Sequence, residues 1–121
     1  MNSDLIEFVE TSFGSVWSLE LLLLLFRDPR RNWNSDELVH ELRSSEVVVD
    51  QGIERLLAAG LVLAETDGSV RYGPASAEQR ELVAQLEEEY RKTPAAIRRL
   101  ILQNPMDKLR TFADAFRLKK S

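Results

Sequence analysis

The spacing of apolar residues changes at Gly60, and this change restricts the folds open to the chain. Before Gly60, in VVVDQGIERLLA, apolar residues recur every three or four positions, which is typical of a helix packed on a core. After Gly60, the segments LVLAET and SVRYG alternate with a period of two around Asp67-Gly68, a strong hairpin signal. The sequence therefore predicts a helix that runs directly into a two-stranded hairpin.

Cap and stop signals predict the remaining helices. Asn34 followed by Glu37 resembles a capping box, and Ser76 with Gln79 forms one in SAEQ. Trp33 stands in a short extended segment before Asn34. The other predicted helices lie within SDLIEFVETSFG, from about Ser15 to Arg27, from Asn34 to about Arg43, from Ser76 to about Lys92, from Thr93-Pro94 to Asn104-Pro105, and beyond Pro105. The chain is therefore expected to be mainly α-helical.

Charge is distributed unevenly along the 121 residues, which have the length and composition of a single globular domain. Residues 1–60 hold 5 Lys/Arg against 11 Asp/Glu, residues 61–90 hold 2 against 7, and residues 91–121 hold 9 against 2. An acidic body with a basic last quarter suggests either a polyanionic ligand or association of unlike patches.

The composition also indicates where the protein works. There is no cysteine, the start MNSDLIEFVE lacks the basic region of a signal peptide, and the run LELLLLLF is far shorter than a membrane span. We therefore expect a cytoplasmic protein that does not contact a membrane, with LELLLLLF as a buried core helix.

The order of elements resembles a winged helix-turn-helix. NWNSDELVHEL is similar to the short strand and second helix of that fold, VVVDQGIERLLAAGLV to its recognition helix, and DGSVRYGP to the end of its wing. The resemblance covers residues 15–74 as a winged-helix core, with 1–14 and 75–121 as flanking helices for packing or dimerisation. Bacterial transcriptional regulators of the MarR type add such helices and pair through them.

The resemblance implies a DNA-binding transcriptional regulator in which the recognition helix enters the major groove. Gln51 would read a base, while Arg55 and Arg71 would meet phosphate. The full set of expected double-stranded DNA contacts is Ser44, Ser45, Gln51, Arg55, Arg71, Arg30 and Arg31.

The charge of the recognition helix favours a second hypothesis. Its outer face reads Val47, Asp50, Gln51, Glu54 and Ala58, and Arg55 is its only basic residue. Acidic groups oppose phosphate contact. The alternative is a protein-interaction module that docks on another regulatory protein through this acidic helix and does not bind DNA.

Apolar stripes outside the winged core suggest a homodimer, with packing on their own domain as an equally weighted alternative. The residues assigned to this interface are Leu5, Val9, Leu82, Leu86, Tyr90, Ile97, Ile101, Leu109, Phe112 and Phe116.

The sequence predicts neither an enzyme nor a cofactor or metal site. His40 is the only histidine and lies among polar residues, and the glutamates at 87–89 point in different directions on a helix. Nucleophile-elbow and phosphate-loop motifs are absent from the sequence.

Overall fold

A computed structural model describes residues 1–103 of the protein. Within this range the chain forms six helices and one antiparallel hairpin. The elements are α1 (Ser3–Ser12), α2 (Val16–Arg27), α3 (Ser35–Leu42), α4 (Glu46–Ala58), β1 (Val62–Ala64), β2 (Val70–Tyr72), α5 (Ala77–Lys92) and α6 (Pro94–Leu102). The predicted helix beyond Pro105 lies outside the described residues.

The winged helix-turn-helix layout is confirmed. The hairpin pairs Val62 with Tyr72 and Ala64 with Val70. The extended segment before α3 joins this sheet through a bridge from Trp33 to Val70, whose backbone N–H groups each donate to the other residue's carbonyl at 2.8 Å. The order α2, bridge, α3, α4, β1, β2 is that of a winged core, and α1, α5 and α6 flank it.

Local caps explain where the winged helices begin and end. Asn34 and Glu37 form the reciprocal capping box of α3, and Ser45 accepts the Val48 N–H to cap α4. Gly60 follows α4 with a φ of 73°, a left-handed conformation that glycine adopts without steric cost.

The predicted capping box of α5 forms only in part. Ser76 accepts the Gln79 N–H, but the Gln79 side chain does not return to the cap. Instead its oxygen accepts the Ala75 N–H, and its nitrogen donates to the Ala59 carbonyl at 3.0 Å. This side chain therefore joins the start of α5 to the end of α4.

The core is built around α2, whose leucines point to neighbours on nearly every side. Leu19, Leu21, Leu22, Leu23 and Leu25 are all at most 1% exposed. At Gly52 the backbone of α4 lies close to α2, because a Cβ atom there would lie 3.1 Å from Leu21 Cδ2. A small residue at this position lets the two helices pack closely.

The flanking helices pack against the same core as the winged elements. Six of the residues assigned to the dimer interface are at most 9% exposed within the single chain, namely Leu5, Val9, Leu86, Tyr90, Ile97 and Ile101. Leu82 is partly buried against the same cluster. Leu109, Phe112 and Phe116 lie outside the described residues. The single chain therefore buries these apolar residues, and the homodimer stays a prediction.

No single helix within residues 1–103 has the length and apolar character to cross a membrane. Only α1 and α2 taken together reach that length and hydropathy, and they are bent by 110° relative to each other.

Candidate interaction site

The outer surface of α4 presents three carboxylates to solvent. Val49, Gly52 and Leu56 turn inward, so helical periodicity leaves the opposite side exposed. We call Glu46, Val47, Asp50, Gln51 and Glu54 the acidic face; all five are exposed, and Val47 is 64% exposed. Within residues 1–103, none of the three carboxylates forms an ion pair.

An exposed tryptophan lies beside the acidic face. Trp17, in the first turn of α2, is 44% exposed. On one side it borders a groove of about 560 Å³ that also contacts Val48, Gln51 and Glu54, which we call the α4 groove. On its other side is a groove of about 640 Å³ lined also by Glu41, Leu42 and Arg98, which we call the α6 groove. Trp17 is therefore the ridge between two concave surfaces.

Sequence reasoning did not identify Trp17 as a site residue. Because α2 is apolar nearly all round, its sequence carries no polar face that would mark the solvent side. Leu57, one of the apolar residues of VVVDQGIERLLA, is likewise 38% exposed, although that pattern predicts a helix packed on a core. The signal for this site in the sequence was a tryptophan at the start of a leucine-rich helix.

Arg55, predicted to meet phosphate, instead binds the end of α1. Its Nε donates to the Ser12 carbonyl at 3.2 Å, and Nη2 donates to the Thr11 carbonyl at 2.9 Å. The last carbonyls of a helix lack partners within the helix and carry partial negative charge, so a guanidinium satisfies both needs. Arg55 thus holds α1 against α4.

Two further predicted DNA contacts are engaged with glutamates. Arg71 on β2 forms an ion pair with Glu65 across the hairpin. Arg31 pairs with Glu37 at 2.7 Å and places its guanidinium 3.5 Å from the centre of the Trp33 ring. The Glu37 pKa is held below its ordinary value by the Asn34 backbone N–H and by Arg31. These pairs engage two of the six arginines of residues 15–74 with carboxylates.

The remaining predicted DNA contacts are polar groups near the start of α4 and the turn after α2. Ser44 is partly buried, while Ser45 and Gln51 are exposed, although the Ser45 hydroxyl oxygen already caps the helix. Arg30 is exposed in the turn after α2. The structure therefore brings Ser45, Gln51 and Arg55 together on α4 and leaves Arg30 and Arg71 on separate elements.

A hydrogen-bonded row fixes one wall of the α6 groove. The Tyr90 hydroxyl donates to Glu20 at 2.6 Å, and Arg98 Nε donates to the same hydroxyl oxygen at 3.2 Å. Burial, followed by the bond to Glu20, raises the pKa of Tyr90, so the phenol stays protonated and donates at neutral pH. The row ties α2, α5 and α6 together beside Trp17.

No family model, no curated protein and no solved structure matches this chain. Within residues 1–103 there is also no group of three His, Asp or Glu side chains placed to hold a metal ion. The site must therefore be interpreted from its own chemistry: an exposed aromatic ridge, two grooves and a row of free carboxylates.

Proposed function

We propose that this protein is a non-enzymatic regulatory module that binds a protein partner through the acidic face of α4 and the adjoining Trp17. The observation that carries the proposal is the set of three exposed carboxylates, Glu46, Asp50 and Glu54, without a balancing cation on the same face. A surface of this charge is complementary to a basic surface and opposes the approach of a polyanion.

The composition of the surface supports a protein rather than a small ligand. Trp17 and Val47 supply exposed apolar area, and Gln51 and Glu54 of the acidic face line the same groove as Trp17. Tryptophan is enriched among residues that dominate binding energy at protein interfaces, where a polar rim excludes water from an apolar centre. We therefore propose a partner segment that carries apolar side chains flanked by Lys or Arg.

A second candidate is a DNA-binding regulator of the MarR type. The observation that favours it is the layout itself, in which α4 is exposed along its outer face and is followed by a wing. Gln51 is free to reach a base edge. However, Arg31 and Arg71 would have to exchange their glutamate partners for phosphate, and the acidic face would lie against the DNA backbone.

The protein-binding proposal is tested with a photo-cross-linking amino acid at Val47 in the cells that make the protein. We expect one discrete cross-linked protein, identified by mass spectrometry, because Val47 belongs to the acidic face and is 64% exposed. Asp50→Lys together with Glu54→Lys should abolish this product. The same cross-linker at Glu81, an exposed position on α5, is the matched control and should not yield it. A product that survives the double charge reversal would contradict the proposal.

The DNA candidate is tested by mobility-shift titration with the upstream DNA of the protein's own gene at two salt concentrations. If DNA is bound by this surface, affinity must fall steeply with salt, and Arg71→Ala must weaken it. The two functions then differ in sign, since Asp50→Lys with Glu54→Lys should strengthen DNA binding and destroy protein binding. Absence of a shift at low salt would remove the DNA candidate.

A further inference from the structure

We infer that residues 104–121 of this chain dock in cis along the two grooves beside Trp17 and thereby cover the acidic face. The docking is an independent inference, whereas its regulatory meaning rests on the proposed function, because it would place the segment where the partner binds. The inference combines an uncovered surface, the chemistry of the segment and the position at which the described chain ends.

The surface around Trp17 has the features of an interaction site. Trp17 is 44% exposed and Val47 64%, whereas the apolar stripes of the flanking helices are buried. Exposed aromatic area of this kind, next to concave surfaces and rimmed by charge, marks an interaction site. The two grooves together form a continuous path from Arg98, over Trp17, to Gln51 and Glu54.

Residues 104–121 carry the complementary chemistry. The segment NPMDKLRTFADAFRLKKS contains five Lys/Arg against two Asp, and the acidic face holds three carboxylates. Its apolar residues Leu109, Phe112 and Phe116 recur at intervals of three and four. That spacing predicts one apolar stripe flanked by basic residues. The lining of the two grooves holds Glu20, Glu41 and Glu54 against Arg27, Arg55 and Arg98, so the complementary negative charge is that of the acidic face beside the α4 groove.

The end of the described chain lies close to the path. Arg98 lines the α6 groove and is only one turn of helix before Leu102, the last residue of α6. Five extended residues span about 17 Å, and a helical segment of 18 residues spans about 27 Å. Because α5, the longest described helix at 16 residues, is about 24 Å long, a segment of this length can extend from the end of α6 across the domain.

Covalent attachment favours docking within the chain over docking between copies. A short tether gives the segment an effective concentration on the order of millimolar at its own groove. A second copy at micromolar concentration would compete poorly. The consequence for the proposed function is that a basic partner must displace the segment, so its measured affinity falls in proportion to the fraction of molecules in which the face is open.

The test measures how readily acrylamide, a neutral quencher, reaches Trp17 in the full-length protein. Trp33 is only 3% exposed, so Trp17 supplies the accessible fluorescence, and Trp17→Phe defines the background. We expect Trp17 to be shielded in the unmodified protein. Phe112→Ser with Phe116→Ser, which removes apolar side chains of the segment, should raise the quenching constant of Trp17 severalfold. Asp50→Lys with Glu54→Lys, which reverses charge on the acidic face, should raise it by a similar factor. Leu102→Ser, which alters a residue 68% exposed outside the segment, is the control and should leave the constant unchanged.

Each outcome decides the inference. Shielding that is constant between about 1 and 100 µM protein, a range that covers weak dimers, and that both double variants abolish supports docking in cis. Shielding that appears only at high concentration would assign the groove to a second copy and overturn the inference. Equal quenching in the unmodified protein and the variants would overturn it as well. If Trp17 is shielded while the Val47 cross-linker captures no protein, the docking stands and the proposed function fails. If the cross-linker captures a partner while Trp17 is not shielded, the proposed function stands and the docking fails.

Discussion

The two tryptophans of this protein lie in contrasting surroundings. Trp33 is 3% exposed, its backbone pairs with Val70 of the wing, and Arg31 covers its ring. Trp17 is 44% exposed on a ridge between two grooves. The same residue type therefore joins elements in one place and remains uncovered in the other. The difference teaches that an aromatic side chain marks a binding surface where the described elements, residues 1–103, leave it exposed.

Magnitudes explain why Trp33 is buried despite a polar group. Its indole Nε1 has no hydrogen-bond partner within the described chain, which costs about 1–3 kcal/mol for a buried donor. Burying roughly 200 Å² of aromatic surface contributes about 5 kcal/mol. The free energy gained by burying the ring exceeds the cost of the unpaired Nε1, so Trp33 stabilises the core.

The largest expected effect is a difference in the free energy of unfolding lost when Trp33 or Trp17 is replaced. Trp33→Ala should lower the free energy of unfolding by about 3–5 kcal/mol, because it leaves a cavity between the wing and α3. Trp17→Ala should lower it by less than about 1 kcal/mol, as for other exposed positions. Urea denaturation measures both, and Trp33→Phe is the control that keeps part of the ring. Equal losses at the two sites would remove the distinction.

Gly52 offers the next test, because it sets the approach of α4 to α2 beside Trp17. A valine at this position would place atoms against Leu21, whose Cδ2 lies 3.1 Å from the position of a Cβ. We expect Gly52→Val to destabilise the fold by about 1–3 kcal/mol through overpacking. Gln51→Val, one residue away on the exposed side, should change stability by less than about 0.5 kcal/mol. Tolerance of valine at 52 would show that the two helices can separate there.

Arg55 distinguishes a structural from a DNA-binding role for the same side chain. Arg55→Ala should cost about 1–2 kcal/mol of stability, since two α1 carbonyls lose a charged donor at a partly exposed site. Arg55→Lys should restore only part of this, because an ammonium cannot reproduce the geometry of the guanidinium. Thermal or urea unfolding tests both. A variant that weakens DNA binding at unchanged stability would restore the original interpretation of Arg55.

The smallest effect concerns Glu37, which caps α3 and binds the arginine that covers Trp33. Because its pKa is depressed in the fold, Glu37 stabilises the protein above the ordinary value of 4.5, and this contribution is lost as pH falls through the folded pKa. The gap in urea midpoint between the unmodified protein and Glu37→Gln should therefore be constant near neutrality and close in acid. Glu41→Gln, at an exposed glutamate of the same helix, is the control. A gap that persists in acid would exclude the carboxylate as its cause.

Local signals in the sequence determined most of the element order. The caps at Asn34, Ser45 and Ser76, the left-handed glycine at Gly60 and the Asp67-Gly68 turn each act within a few residues of their own position. Because these interactions are short-range, residue types and spacing are sufficient to predict them. The acidic character of the outer α4 surface followed in the same way from helical periodicity.

Only the tertiary structure decided which partners those elements found. Leu86, Tyr90 and Ile97 were equally compatible with a dimer and with their own core, and packing of α5 and α6 around α1 and α2 buried them. The same long-range packing placed Arg55 against the end of α1 and left Trp17 exposed among residues 1–103. An apolar stripe specifies that it will be covered but not what will cover it, since the hydrophobic effect is non-directional and the choice depends on residues far apart in sequence.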